Sequence, residues 1–182
     1  MNITDAQRDV RTVFVGGFAG QLVSSAVWFL SAAAATWYSA RTAIGLLVFG
    51  GMLIFPLTQL LLRLMGGPSS LPNGHPMNAL GMQVAFTVPL SLPLIGAATL
   101  YRQNWFYPAF MVVVGSHYLP FVFMYGMWQF AILAASLIAA GIVIALYLPF
   151  AFSLGGWLTA LLLLIFAFVG RVVALRERRQ AA

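Results

Sequence analysis

The chain has no cysteine and no lysine, and very few acidic residues. Its 182 residues include three Asp or Glu side chains, and all nine basic residues are Arg. Without cysteine, disulfides, thiolate metal sites and cysteine nucleophiles are excluded. Without lysine, a Schiff base with retinal or pyridoxal phosphate cannot form.

Charge of either sign is also scarce. Only 7% of the residues are charged, whereas 62% are hydrophobic. A soluble domain carries roughly 25% charged residues, so the bilayer has to cover most of this surface. The net charge of +6 comes from arginines at the ends of apolar runs and in the C-terminal tail. That placement is typical of membrane orientation signals. We therefore expect the lipid bilayer, and no nucleic acid, as a partner.

Six long apolar runs contain no Asp, Glu or Lys, and each is about as long as a helix that crosses hydrocarbon. They predict an all-α fold, in which residues 1–182 form one compact bundle of six transmembrane helices. Short joins at Gly126 and Pro149 make the last three helices antiparallel neighbours. The predicted helices are 13–38, 42–64, 77–100, 105–125, 127–148 and 152–173.

Arginine counting predicts that both termini are cytoplasmic. With that orientation Arg41 and Arg102 lie outside and the other seven arginines lie inside, as the positive-inside rule requires. The Gly- and Pro-rich segment 66–76, including His75, is then a cytoplasmic, exposed and tolerant loop. The aromatic residues expected at the outer interface are Trp37, Tyr38, Tyr101, Trp105 and Tyr107.

Polar side chains form stripes on two predicted helices. In the first helix Gln21, Ser24, Ser25 and Trp28 share one face, and in the third helix Gln83, Thr87 and Ser91 do so. An amide that faces lipid would remain without a partner, so both stripes should point inward. They either form hydrogen bonds between helices or line a polar cavity.

His117 is the imidazole within a predicted span, in the segment GSHYLPF. Ionisable groups at membrane depth are costly and are often functional. We expect the helix that carries it to turn toward both polar stripes and form a polar centre, with His117 buried, mostly neutral and bonded to a side chain or a freed carbonyl near a proline. The candidate ligand-binding residues are Gln21, Ser24, Trp28, Asn78, Gln83, Thr87, His117, Tyr118 and Tyr125.

Several enzyme classes lack their residues here. The predicted spans hold no carboxylate for cation coupling or aspartyl proteolysis and no HExxH motif, and His75 with His117 does not form a haem pair. A Ser24 or Ser25 pairing with His117 has no supporting motif. We expect no enzyme, no cofactor and no metal site. Two classes remain open: a binding or passage module for a small solute or apolar ligand, and a structural or accessory subunit.

Small-residue pairs bear on the second class. Ala135 with Ala139, Gly141 with Ala145, and Gly156 with Ala160 allow close helix contact. These contacts could lie within one bundle, in a homo-oligomer or in a larger membrane complex.

The segments LIFPLTQLLLRLM (53–65), HPMNALGMQ (75–83) and GSHYLPF (115–121) carry a resemblance. With this spacing the chain resembles an uncharacterised family of small bacterial multi-pass integral membrane proteins. The resemblance implies a compact multi-pass bundle in a bacterial inner membrane, and it implies no established activity.

Overall fold

The computed structural model of the protein describes residues 2–148 and 150–181, with the backbone alone for 178–181. Pro149, in the join before the last span, lies outside the described residues. Two 3₁₀ turns, Val15–Gly17 and Gln103–Trp105, precede the second and fifth helices. The α-helices are α1 (Ile3–Val13), α2 (Phe18–Trp37), α3 (Ala40–Leu64), α4 (Met77–Tyr101), α5 (Phe106–Tyr125), α6 (Gln129–Tyr147) and α7 (Leu154–Ala181).

Six of these helices, α2 to α7, are long and apolar enough to cross a membrane. This confirms the predicted all-α fold with six spans. The positions of the two termini relative to the membrane stay a prediction.

The start of the first span differs from the prediction, which began the helix at Val13. The backbone breaks at Val15–Gly17, where Gly16 and Gly17 have φ angles of 65° and 86°. These left-handed angles favour glycine and end a right-handed helix. The residues before the break form α1, a short helix that begins with Asn2 accepting the Asp5 N–H at 2.8 Å. Its buried side chains are Ala6, Val10 and Val13.

The spans pack in two groups of three. In one group α2 lies between α3 and α7, and in the other α5 lies between α4 and α6, while α6 and α7 join the groups. Trp28 of α2 fills the middle, with its ring centroid 5.9 Å from that of Tyr107 and 5.4 Å from that of Phe110. The core therefore lies between α2 and α5.

The helices α3 and α4 are peripheral. Within their apolar segments only 6% and 11% of the residues are buried, against 33–50% in the other spans. Most of their side chains are therefore exposed on the outside of the bundle.

Small residues bring several helices close together, as predicted for Gly141 and Gly156. A Cβ on Gly141 would lie 2.9 Å from the Pro108 carbonyl oxygen on α5, and one on Gly156 would lie 2.9 Å from Ala32 on α2. In contrast, Ala135 and Ala139 face outward. The α6 face that packs is thus the one with Gly141.

Two sequence-based placements are wrong. Tyr107 is fully buried, because its side chain points between α2 and α7 and not toward the interface. His75 is 8% exposed, because the end of the 66–76 loop folds against α1, where His75 Nε2 lies 3.5 Å from Asp9 Oδ2. Most other residues of this loop are exposed.

Candidate functional site

The centre of the candidate site is a hydrogen bond between α4 and α5. His117 Nδ1 lies 2.8 Å from Thr87 Oγ1. The same Thr87 hydroxyl donates to the Val84 carbonyl oxygen at 2.8 Å, one helical turn earlier. A hydroxyl carries one hydrogen, so Thr87 has none left to donate and must accept from His117. This confirms the prediction that His117 bonds to a side chain, whereas the predicted burial of His117 is only partial.

The proton count assigns a tautomer to His117. Because Nδ1 donates, Nδ1 carries the proton of the neutral imidazole, and Nε2 holds a free lone pair. The Val84 carbonyl is a second acceptor beside the ring, and the hydrogen bond that the geometry defines for the imidazole is the one from Nδ1. The imidazole therefore offers one acceptor atom near the middle of α5.

Aromatic rings surround the imidazole on its protein side. The His117 ring centroid lies 5.0 Å from that of Phe121 and 5.7 Å from that of Tyr118, both edge to face. Tyr118 is buried, as is Tyr125 further along α5, and both rings pack against Phe130 of α6. These two tyrosines form the wall of the site, and they do not open onto its surface.

The other side of the imidazole is open. His117 is only half-buried. Thr87 and Gln83, which lie one turn apart on the same face of α4, are exposed on the outside of the protein. The Gln83 amide makes no hydrogen bond within the described part of the chain. His117, Thr87 and Gln83 thus present polar atoms at the lateral surface of the bundle, where α4 meets α5. The prediction that the α4 stripe points inward is therefore wrong for Gln83 and Thr87, which remain exposed because α5 covers only part of α4.

The stripe on the first span does not join this site, so the predicted convergence of three stripes is wrong. Ser25 donates to the Ala160 carbonyl oxygen of α7 at 2.7 Å, and Trp28 belongs to the aromatic core. Gln21 borders Gly170 of α7 and Gln129 of α6. The physical reason is the tight packing of α2 against α7, which turns this face away from α4.

Two further predicted site residues take separate positions. Ser24 is half-buried on α2. Asn78 lies at the start of α4, where its Nδ2 donates to the Pro72 carbonyl oxygen at 2.9 Å and fixes the end of the preceding loop. Neither residue contacts His117 in the described hydrogen bonds and ring contacts.

A buried polar pair in the core was missed. The Ser31 hydroxyl donates to the Ala43 carbonyl oxygen at 2.8 Å and lies 2.6 Å from the Tyr107 hydroxyl. By the same proton count, Tyr107 donates to Ser31. The sequence contains a pattern that predicts the burial of Ser31, because Ser31 follows Trp28 by three residues and shares the inward face of the same helix.

Some buried polar atoms in the described chain have no hydrogen-bond partner. They include Oε1 of Gln21 and Gln129, and Oγ1 of Thr159, which is fully buried. The described residues hold no group of three or more His, Asp or Glu side chains that could bind a metal.

The six apolar helices and the neutral polar stripes define the class: a multi-pass helical membrane protein. Residues 3–173 match the model of one family, described as a family of unknown function, DUF7010. The chain belongs to that family. Searches among curated proteins and among solved structures found no match.

Proposed function

We propose that the protein is a non-enzymatic membrane module that binds a small lipid-soluble ligand through His117. The observation that carries this proposal is the Thr87–His117 bond, which fixes Nε2 as an acceptor on a half-buried ring. In hydrocarbon, an acceptor without a partner is costly. A ligand that donates a hydrogen bond from within the bilayer would remove that cost.

The surroundings favour a ligand with a ring and a hydroxyl group. Phe121 packs edge to face against His117 at 5.0 Å and can also contact an aromatic ring beside the imidazole. Thr87 and Gln83 add polar atoms on the same open face. A lipophilic phenol or hydroquinone combines the apolar body and the donor that these groups accommodate.

Ligand entry would be lateral, from the bilayer. The α4 helix covers only one side of the site and packs mainly against α5. The polar pair lies at this surface and not on an axis through the bundle. Binding is therefore the favoured role, and passage of a small solute across the membrane is the less supported one.

The test uses tert-butylhydroquinone as the probe and tert-butylbenzene as a matched molecule without a donor. Purified protein in lipid nanodiscs is unfolded by heat with each compound present. A ligand that binds the native state raises its unfolding midpoint. We expect the hydroquinone to raise it in wild type and not in His117→Ala.

Ser116→Ala is the control variant, since the Ser116 hydroxyl is exposed and donates to Val112 of its own helix. It should respond as wild type does. Equal responses to both compounds, or a full response in His117→Ala, would refute hydrogen-bond recognition at His117.

A second candidate function is that of an accessory subunit or a homo-oligomer. The observation that favours it is Gln83, an exposed amide on a peripheral span with no described hydrogen bond. A helix of another protein, or Gln83 of a second copy, could supply both its donor and its acceptor. The chain has no cysteine, so any disulfide between two copies of a Gln83→Cys variant must join residue 83 of one copy to residue 83 of the other. A disulfide-linked dimer in membranes would favour this function, with Ala135→Cys as the control.

The cellular setting is also proposed: a bacterial inner membrane, with both termini in the cytoplasm. The arginine distribution supports the orientation. Reporter domains fused after Arg102 and after Gln180 should then lie on opposite sides of the membrane. Reporters on the same side would overturn this topology.

A further inference from the structure

An apolar groove lies between α5 and α6, and His117 is not among the residues that line it. It has a volume of about 180 Å³. Its floor consists of small or short residues, and Trp105 lies at one end. The residues that line it are Trp105, Pro108, Ala109, Val112, Gly141, Ile142, Ala145 and Leu146.

The groove runs along two membrane spans, from the first residues of α5 to about two turns further in. Both Gln103–Tyr125 and Gln129–Tyr147 have the length and composition of membrane spans. Hydrocarbon is therefore the medium that faces this groove. A lipid chain matches both its apolar lining and its elongated course.

An aromatic ring and a cation follow at the Trp105 end. The Trp105 ring forms this end of the groove, and its Nε1–H is buried inside the protein. The Arg102 guanidinium carbon lies 5.8 Å from the centre of the Trp105 ring and 5.7 Å from that of Tyr101. These aromatic residues hold a positive charge just beyond the end of the groove.

The order of these groups matches the order of groups in a phospholipid. An acyl chain would lie in the groove, an ester carbonyl would reach the level of the Trp105 indole, and the phosphate would meet Arg102. Indole rings favour this interfacial depth, and a guanidinium binds phosphate oxygens well. We propose that the α5–α6 groove, with Trp105 and Arg102, is a binding site for one anionic phospholipid.

Charge complementarity distinguishes this occupant from a neutral lipid. A diacylglycerol could fill the groove equally well, but it lacks a phosphate group that could bind Arg102. The site is separate from His117, which faces α4. Loss of lipid binding here would leave the response to the hydroquinone unchanged.

The experiment is native mass spectrometry of delipidated protein titrated with phosphatidylglycerol, and in parallel with a diacylglycerol of the same chains. We expect Arg102→Gln to weaken phosphatidylglycerol roughly fivefold, as loss of one exposed charge contact does, with no change for diacylglycerol. Ala145→Phe fills the groove and should weaken both lipids.

Ala139→Phe is the control, since Ala139 is exposed on another face of α6, and it should bind as wild type does. Arg102 is exposed, so Arg102→Gln should fold even if Ala145→Phe does not. Equal affinity of wild type for both lipids would overturn the proposal. So would unchanged phosphatidylglycerol binding in Arg102→Gln.

Discussion

Gly16 and Gly170 bring the backbone at the start of the first span directly against the backbone of the last. A Cβ on Gly170 would collide with the Gly16 carbonyl oxygen, and a Cβ on Gly16 would collide with the Gly170 carbonyl oxygen. Two backbones cannot move apart as a flexible side chain can. This contact sets the distance between α2 and α7.

Gly170→Ala should therefore destabilise the protein strongly. Adding a methyl group to a tight contact lowers the free energy of unfolding by about 1–3 kcal/mol. Because the neighbouring atoms here are backbone atoms, which cannot move aside, we expect a loss at the upper end of that range. The measurement is the unfolding midpoint in detergent. Gly45→Ala is the control, because a Cβ there meets nothing within 4 Å, and it should be neutral or slightly stabilising. Equal midpoints for the two variants would disprove the backbone contact.

Thr159 and Ser25 predict opposite effects of removing a buried hydroxyl. Thr159 Oγ1 has no described partner, so Thr159→Val, which keeps the shape, should be neutral or stabilising by about 1 kcal/mol. Ser25 donates to Ala160 at 2.7 Å, and Ser25→Ala should cost about 1 kcal/mol. Chemical unfolding of both variants measures the difference. A destabilised Thr159→Val would contradict the unpaired hydroxyl.

The Ser31–Tyr107 pair predicts an asymmetry between its two partners. Tyr107→Phe removes a donor and leaves Ser31 bonded to Ala43, so the cost should be about 1 kcal/mol. Ser31→Ala leaves the buried Tyr107 hydroxyl without a partner and should cost about 2 kcal/mol. Tyr38→Phe, at an exposed position, is the control. The reverse order of costs would show that Ser31 is not the acceptor.

Arg11 holds α1 against the ends of two spans. Its guanidinium donates to Glu177 Oε2 of α7 at 2.7 Å and to the Tyr125 carbonyl oxygen at the end of α5. Arg11→Ala should cost about 1–2 kcal/mol, the range for partly exposed charged hydrogen bonds, and should release α1. Hydrogen exchange over residues 3–13 would then increase. Arg8→Ala, at an exposed position on the same helix, should leave exchange unchanged, and equal exchange in both variants would refute the docking role.

The sequence predicts the spans well because the length of an apolar run is a local property. It does not predict α1, which has only 11 residues and little apolar sequence, although the Gly16–Gly17 pair signals the break after it. The burial of His75 depends on α1 docking from a distant part of the chain. That contact leaves no local pattern.

For the polar stripes, too, the sequence predicts local features and does not predict contacts between distant parts of the chain. Helical spacing correctly places Gln21, Ser25 and Trp28 on an inward face, and Thr87 toward His117. Spacing cannot tell which helix that face will meet. The contact of α2 with α7 follows from Gly16, Gly156 and Gly170 together, and only the folded bundle brings these glycines to one surface.

The tautomer of His117 is the most direct test of the proposed ligand site. Protein with ¹⁵N-labelled histidine in bilayers gives separate imidazole signals for His75 and His117, assigned with a His75→Gln variant. His75 Nδ1 accepts the Met77 N–H at 3.2 Å, so its proton should sit on Nε2. For His117 we expect the opposite: a neutral ring with the proton on Nδ1 and a bare Nε2. A proton on Nε2 of His117 would contradict the proposed acceptor and, with it, the ligand site.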